Sequence, residues 1–354
     1  MEEKKDTLGM LDLVIRPGFC VKENQIIKVN QAAESLFITP GTDVRPLLLT
    51  GSEEYAAFTG GCLYLTLNLS SHSCGASVTR VDDIDVFLLE QESDNGELRS
   101  MALAARELRE PLTNVMITAD SLFPLCAAES SPRTAEQVAR LNRGLFQILR
   151  IIGNMSDAER CAAVSHQETV DIPALFAEFF EKAETLVSHT GITLTYEGPD
   201  QPIYGLADRE QLERAVLNIL SNAIKFTPKG GTVTAKLTRS GRMLRLSVTD
   251  SGSGIAQSVR SSVFSRYLRQ PALEDSRYGI GIGMVLIRTA AAHHGGAVLI
   301  DQPEGVGTRI TMTMSIRQSK QATLRSNVLR VDYAGERDHG LIELSECLPT
   351  ELYE

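Results

Sequence analysis

The chain has 354 residues, 43% of them hydrophobic and 23% charged, with a formal net charge of -10. A single core stops growing near about 250 residues, so two or three domains are expected, and the composition is that of a folded protein rather than a disordered or fibrous one. The acidic balance gives no overall positive field for nucleic acid or an anionic membrane surface. No apolar run approaches the roughly 20 residues that span a bilayer, and the first ten residues lack the apolar core of a signal peptide. No nucleic-acid partner, no membrane span and a cytoplasmic location are therefore expected. The six cysteines are scattered, with neither a C-x-x-C pair nor a zinc-like His spacing, and are expected to be reduced thiols.

From 11 to about 90, short apolar segments alternate with turn residues, at 11–15, 26–30, 62–69, 76–81 and 85–90, which predicts a small sheet-rich domain. Between the second and third lies a short helix, 31–37, with Ala32, Ala33, Leu36 and Phe37 on one face. A polar stretch, 90–98, marks a boundary. Helical spacing then runs from 98 to 125 through Leu103, Leu108, Leu112, Val115 and Leu122, interrupted by Pro111. After a turn at 130–134 a second helix carries Val138, Leu141, Leu145, Ile148, Leu149, Ile152 and Met155. Two such helices cannot bury their stripes on each other alone. A second copy, giving a four-helix bundle in a homodimer, is the expected remedy, and packing on another domain of the same chain is the alternative.

After about 168 the pattern alternates helix and strand. A helix over 172–187 and a strand over 192–197 precede a helix over 208–226, with Asp208 as N-cap and Gln211 as its reciprocal partner. Strands 232–239 and 243–250 form a hairpin in which Val233, Ala235 and Leu237 face the same way as Leu244, Leu246 and Val248. A helix from Gly283 to His294 and two closing strands, 297–302 and 308–315, follow. The tail from Arg317 carries no assignable pattern.

Asn218, Asn222 and Lys225 stand at i, i+4 and i+7, so they share one helix face. Their side chains suit Mg²⁺ and phosphate, although such a stripe taken alone reads as a solvated polar face. The second hairpin strand ends in Asp250, followed by Gly252 and Gly254, where backbone can approach a flat ring while a carboxylate accepts from an exocyclic amine. Gly279, Gly281 and Gly283 lead into a helix, whose exposed amides suit phosphate. Neither the G-x-G-x-x-G fingerprint nor a P-loop is present.

These strings, N-I-L-S-N-A-I-K-F-T-P, D-S-G-S-G-I, V-F-S-R-Y and G-I-G-I-G-M, with His293-His294-Gly295-Gly296 and Gly307-Thr308, resemble in order and interval the N, G1, F and G2 boxes of the sensor histidine kinase family. The resemblance implies ATP and Mg²⁺ as cofactors. It implies that Asn222 coordinates the metal with Asn218 in support, that Lys225 contacts phosphate, and that Asp250 reads the adenine amino group. Gly252 and Gly254 would admit the base, Gly279, Gly281 and Gly283 would wrap the triphosphate, and Thr308 belongs to the same site. The segment 265–278 would be the lid, its Arg266, Arg269 and Arg277 either phosphate contacts or solvated surface.

The family's hairpin carries a motif of the form S-H-E-L-R-T-P-L. The matching string is Ala105-Arg106-Glu107-Leu108-Arg109-Glu110-Pro111-Leu112, so Arg106 stands where the phosphoacceptor histidine belongs. A guanidinium stays protonated and cannot attack phosphorus as an imidazole can. Glu107, the catalytic base position, is kept without a histidine to serve, and Glu110 replaces a Thr or Asn that orients water in many relatives. The segment 26–37, with Asn30 near the helix start, resembles a PAS-type sensor domain.

The expected fold is multidomain α+β: a PAS-like sheet domain over 1–95, a two-helix dimerisation hairpin over 96–165, a histidine-kinase-type α/β sandwich ATPase domain over 166–316, and a tail over 317–354. The expected function is ATP/Mg²⁺-dependent regulation in two-component signalling without conventional histidine autophosphorylation, the partners being a second copy and a response regulator or partner kinase. The alternatives are a divergent kinase acting on another residue or protein, and a clamp-type ATPase, for which Asn218 stands where a catalytic Glu would be needed.

Overall fold

A computed structural model describes residues 9, 11–69, 72–90, 93–128, 132–163, 166–255, 263–264, 282–303, 307–317 and 337–353. It is a mixed α+β fold. The first strands, β1 (Gly18–Lys22) and β2 (Gln25–Val29), are joined by Glu23 and Asn24 with φ of 52° and 65°. A two-residue hairpin turn of this hand requires positive φ at both positions.

The sequence segment 11–15, read above as a strand, contributes a 3₁₀ turn at Leu11–Leu13 instead, and the strand lies at Gly18–Lys22. Asn30 decides this. Its Nδ2 donates to the carbonyls of Leu11, Val14 and Arg16 at 3.4, 3.1 and 2.8 Å, folding the stretch back before β1. Its Oδ1 accepts from Gly18 N and Ala33 N, which caps α1 (Gln31–Glu34). That helix is a single turn. Phe37 lies beyond it at φ 61° and 85% exposed, so it does not share the face of buried Ala33 as the spacing suggested.

After α2 (Ser52–Ala56), strands β3 (Cys62–Asn68), β4 (Ser73–Val81) and β5 (Ile84–Leu89) complete an antiparallel sheet whose inner residues, Phe19, Leu63, Leu65 and Phe87 among them, are buried.

Helices α3 (Ser93–Ala128) and α4 (Pro132–Ala163) pack as a hairpin around Ala105, Leu112, Met116 and Ala119 on one side and Leu145, Leu149 and Ile152 on the other. Pro111 does not interrupt α3. It removes only the bond to the Glu107 carbonyl, and at an exposed position water can take that partner's place. Leu108, Val115 and Leu122, seven apart, stay about half exposed, as do Leu141 and Ile148. Neither helix, nor any other among the described residues, is long and apolar enough to cross a membrane.

The rest is a two-layer α/β arrangement. Strands β6 (Glu168–Asp171) and β8 (Tyr204–Ala207) pair with each other. Strands β7 (Thr193–Glu197), β9 (Thr232–Ser240), β10 (Met243–Asp250), β11 (Val298–Asp301) and β12 (Arg309–Ser315) form the main sheet, with the parallel pair β7–β9 at its edge. Helices α5 (Ile172–Val187), α6 (Arg209–Phe226) and α7 (Gly283–His293) share one core with this sheet's buried face. In the hairpin β9–β10, Leu237 opposes Leu246 and Ala235 opposes Val248, all buried as their alternation predicts.

Edge strand β3 pairs with β11, Tyr64 opposite Val298 and Cys62 opposite Ile300. The two sheets thereby become one of ten strands, in the order β2-β1-β5-β4-β3-β11-β12-β10-β9-β7. A buried polar contact supports the seam. The Arg288 guanidinium lies 2.5 Å from Glu90 and over the Tyr64 ring, while the Tyr64 hydroxyl donates to Glu90 at 2.9 Å.

The tail, unassigned from sequence, contains α8 (His339–Glu343) and a 3₁₀ turn at Thr350–Tyr353. Asp338 caps α8 by accepting the Leu341 N–H at 3.0 Å, and Ile342, Leu344, Leu348 and Tyr353 are buried.

Candidate functional site

Helix α6 is held at its start by Asp208, whose Oδ1 accepts the Gln211 N–H at 3.2 Å. The reciprocal bond expected from Gln211 does not form. Its Oε1 pairs with His293 at 3.2 Å, and the Asp208 N–H is taken by Nε2 of His294 at 3.0 Å. His294 Nδ1 lies 2.7 Å from the Ala290 carbonyl, so the ring is neutral, with Nδ1 donating and Nε2 accepting. Burial pushes its pKa down, and that of His293 likewise. The two histidines thus pin the end of α7 to the start of α6.

This placement sets Asn218 beneath the first turn of α7. A Cβ on Gly283 would come within 2.8 Å of Asn218 Oδ1, so the bare glycine lets the two helices meet there without displacing that side chain. Asn218 is buried, and its Nδ2 donates to the Arg214 carbonyl at 2.9 Å. Asn222, one turn on and half-buried, has its Nδ2 3.8 Å from the Met284 sulfur. Lys225 follows on the same face with its side chain 9% exposed.

Asp250 closes the other wall. It is buried, and its Oδ1 accepts from Gly252 N at 2.8 Å and Thr308 N at 3.1 Å. Burial raises its pKa, and the two amides only partly offset this. Gly252 has a tighter reason than access for a base, since a Cβ there would lie 2.4 Å from the Phe226 carbonyl at the end of α6. Asp250, Gly252 and Thr308 are therefore locked to the same helix end that carries Lys225. Gly254 adopts φ 74°. Gly279, Gly281 and the lid residues Arg266, Arg269 and Arg277 lie outside the described residues.

On the hairpin, Arg106, Glu107 and Glu110 are exposed on α3. Sequence reasoning missed four charged residues at the centre of the site: Arg150 of α4, Arg214 of α6, and Glu343 and Glu346 of the tail. Arg214 pairs with Glu343 at 3.2 Å and donates to Asn154 at 2.6 Å. Arg150 pairs with Glu343 at 3.3 Å and with Glu346 at 2.9 Å. Glu346 also pairs with Lys225, and Glu343 lies 3.4 Å from Asn218 Nδ2. Burial opposes ionisation of Glu346, but Arg150 and Lys225 outweigh it and hold the carboxyl below its usual range. One signal was available: Arg150 interrupts an apolar run, Ile148 to Ile152, and a buried guanidinium demands a carboxylate.

Residues 207–318 match the family described as histidine kinase-, DNA gyrase B- and HSP90-like ATPase. An uncharacterised sensor-like histidine kinase of Rhizobium meliloti is 28% identical over 276 residues, 73% of this chain and 52% of that protein. The adaptive-response sensory kinase SasA of Synechocystis is 28% identical over 264 residues, covering 70% and 68%. SasA of Crocosphaera subtropica is 25% identical over 246 residues, covering 66% and 64%. The chain thus spans about half to two thirds of the length of the curated relatives it matches. Full-length ShkA, solved in complex with AMPPNP, has the same fold with a TM-score of 0.51 and 23% identity, over 62% of this chain and 46% of that one. Residues 207–318 therefore carry the ATPase domain shared by histidine kinases, DNA gyrase B and HSP90, and the chain as a whole is similar to sensor histidine kinases.

Proposed function

We propose that the protein is an ATP- and Mg²⁺-binding regulator in two-component signalling that has lost conventional histidine autophosphorylation. The observation that carries the nucleotide reading is the convergence of Asn218, Asn222 and Lys225 on one face of α6 with Asp250 and Thr308 locked to the end of that helix. The donor set fits the cofactors. The Asn oxygens suit a hard divalent ion, Lys225 suits phosphate, and the buried Asp250 carboxylate suits an exocyclic amine. Bound Mg²⁺ would supply charge neutralisation for the phosphates. Asn222 would ligate it, Asn218 would orient its neighbour, and Asp250 would select adenine. Gly279, Gly281 and Gly283 are assigned to the triphosphate by resemblance.

Loss of autophosphorylation rests on Arg106. The string from 105 to 112 keeps Glu107, Leu108, Arg109, Pro111 and Leu112 around a residue that has no nucleophilic lone pair at physiological pH. The heptad-spaced, half-exposed Leu108, Val115 and Leu122, with Leu141 and Ile148, support assembly as a homodimer. The domain limits given above, a PAS-like sensing role for the first five strands, a cytoplasmic location, and a response regulator or partner kinase as recipient belong to the same reading.

The test is calorimetry of ATP binding with and without Mg²⁺, alongside incubation with γ-labelled ATP. Mg²⁺-dependent binding without an acid-labile, base-stable phosphoryl label is expected. Arg106→His is expected to restore some of that label. Robust labelling of the wild type would overturn the loss of autokinase activity.

A further inference from the structure

Residues 337–353 return to α6, where Leu344, Leu348 and Tyr353 join the core of the ATPase helices and sheet. The α8 segment lies between α4 of the hairpin and α6 of the ATPase domain, and it carries two carboxylates into that gap. Glu343, fully buried, sits between the guanidinium groups of Arg150 and Arg214 and 3.4 Å from Asn218 Nδ2. Glu346 pairs with Arg150 and with Lys225. Lys225, assigned to phosphate, and Asn218, assigned to support the metal ligand Asn222, are thus engaged by acidic side chains of the same chain.

The chemistry of the two occupants is alike. A carboxylate and a phosphate each offer anionic oxygens to a lysine ammonium or a guanidinium, so either satisfies the same buried cations. The two compete, because a phosphate brought to Lys225 would stand against the Glu346 carboxylate already paired there, like charge beside like charge. Leaving Arg150 and Arg214 buried with no anion would be strongly unfavourable. The cations therefore favour two discrete arrangements, one closed by the segment's glutamates and one closed by an external polyanion.

We infer that the segment 338–353 is a built-in competitor of the nucleotide, its Glu346 occupying the position that Lys225 would otherwise offer to phosphate while Glu343 holds Arg150, Arg214 and Asn218 beside it. The inference rests on the nucleotide reading above and adds regulation to it. The segment is held by contacts outside the site. Arg143 of α4 donates through Nε to the Ser345 carbonyl at 2.9 Å and through Nη2 to the Glu346 carbonyl at 3.0 Å, and Asn142 donates to the Tyr353 carbonyl at 2.9 Å. These bonds allow the segment to be loosened without altering any residue assigned to the nucleotide.

The experiment is calorimetric titration of the full chain with Mg²⁺·AMPPNP, for the wild type, Glu346→Gln and Arg143→Ala. A segment docked in about nine molecules of ten lowers the apparent affinity about tenfold, and release restores it. Both variants are therefore expected to bind up to about tenfold more tightly. Arg143→Ala guards against a local effect of removing charge at residue 346. Hydrogen exchange supplies the second readout. The Leu344 and Leu348 N–H groups, bonded to the Gly340 and Leu344 carbonyls, are expected to exchange faster at saturating Mg²⁺·AMPPNP. If the wild type binds and both variants match it, or if these amides keep their protection while nucleotide is bound, the inference fails and the nucleotide reading stands. If neither the wild type nor the variants bind, the nucleotide reading fails and the inference falls with it.

Discussion

Asp250 and Thr308, 58 residues apart, are tied reciprocally: the Thr308 N–H donates to Asp250 Oδ1 at 3.1 Å, and the Asp250 N–H donates to the Thr308 carbonyl at 2.9 Å. The carboxylate is thereby fixed in place before any ligand arrives. Asp250→Asn keeps an acceptor oxygen for the Gly252 and Thr308 amides but turns the other position into a donor. A buried exocyclic amine facing it would lose its acceptor, at a cost of about 1–3 kcal/mol. ATP affinity measured by calorimetry should fall accordingly while the melting temperature changes little. Unchanged affinity would remove Asp250 from the base pocket.

Asn222 stands on the half-buried face of α6, against Met284. Asn222→Ala should remove the Mg²⁺ dependence of ATP affinity and leave metal-free ADP binding nearly as it was. Titrations with and without EDTA distinguish the two. Metal dependence that survives intact would place the ligand elsewhere.

The half-exposed leucines and valine of α3 recur at intervals of seven, Leu108, Val115 and Leu122. A charge at each of two such positions, as in Leu108→Lys with Val115→Lys, should convert dimer to monomer in sedimentation equilibrium without unfolding the chain, because the inner stripe of Leu112, Met116 and Ala119 is untouched. A wild-type monomer at micromolar concentration would contradict the four-helix bundle.

His294 should make stability pH-dependent. Its neutral ring accepts from Asp208 and donates to Ala290, and burial holds its pKa below the unfolded value of 6.5. Between those two values the unfolded chain binds more protons, so stability rises with pH through that window and is lost as pH falls below about 6.5. Asp208 favours the protonated ring, while His293 and Arg317 oppose it. The melting temperature should therefore drop between pH 7.5 and 5.5. His294→Gln should be less stable at pH 7.5 and show a smaller drop. An equal drop in both proteins would assign the dependence to other groups.

Much of the fold was legible because its signals are local. The alternation in 232–250 built the β9–β10 hairpin, the helical period built α3 to α6, and Asp208 capped α6 as its residue type and position predict. The site was legible for a similar reason: Asn218, Asn222 and Lys225 share a face by helix geometry alone. Local rules failed where a distant group intervened. Asn30 folded back the stretch at 11–15, and His293 took Gln211 from its cap.

The sequence by itself determined the helices, the hairpin strands and which residues share the candidate nucleotide face, because periodicity, caps and box residues lie within a few turns of one another. Only the tertiary structure decided the joining of β3 to β11 and the return of Glu343 and Glu346 to Arg150, Arg214 and Lys225. Sheet edges carry generic backbone donors and acceptors that name no partner. The pairing of a buried charge is likewise set by which chain segment can reach it, and reach is a property of the folded molecule.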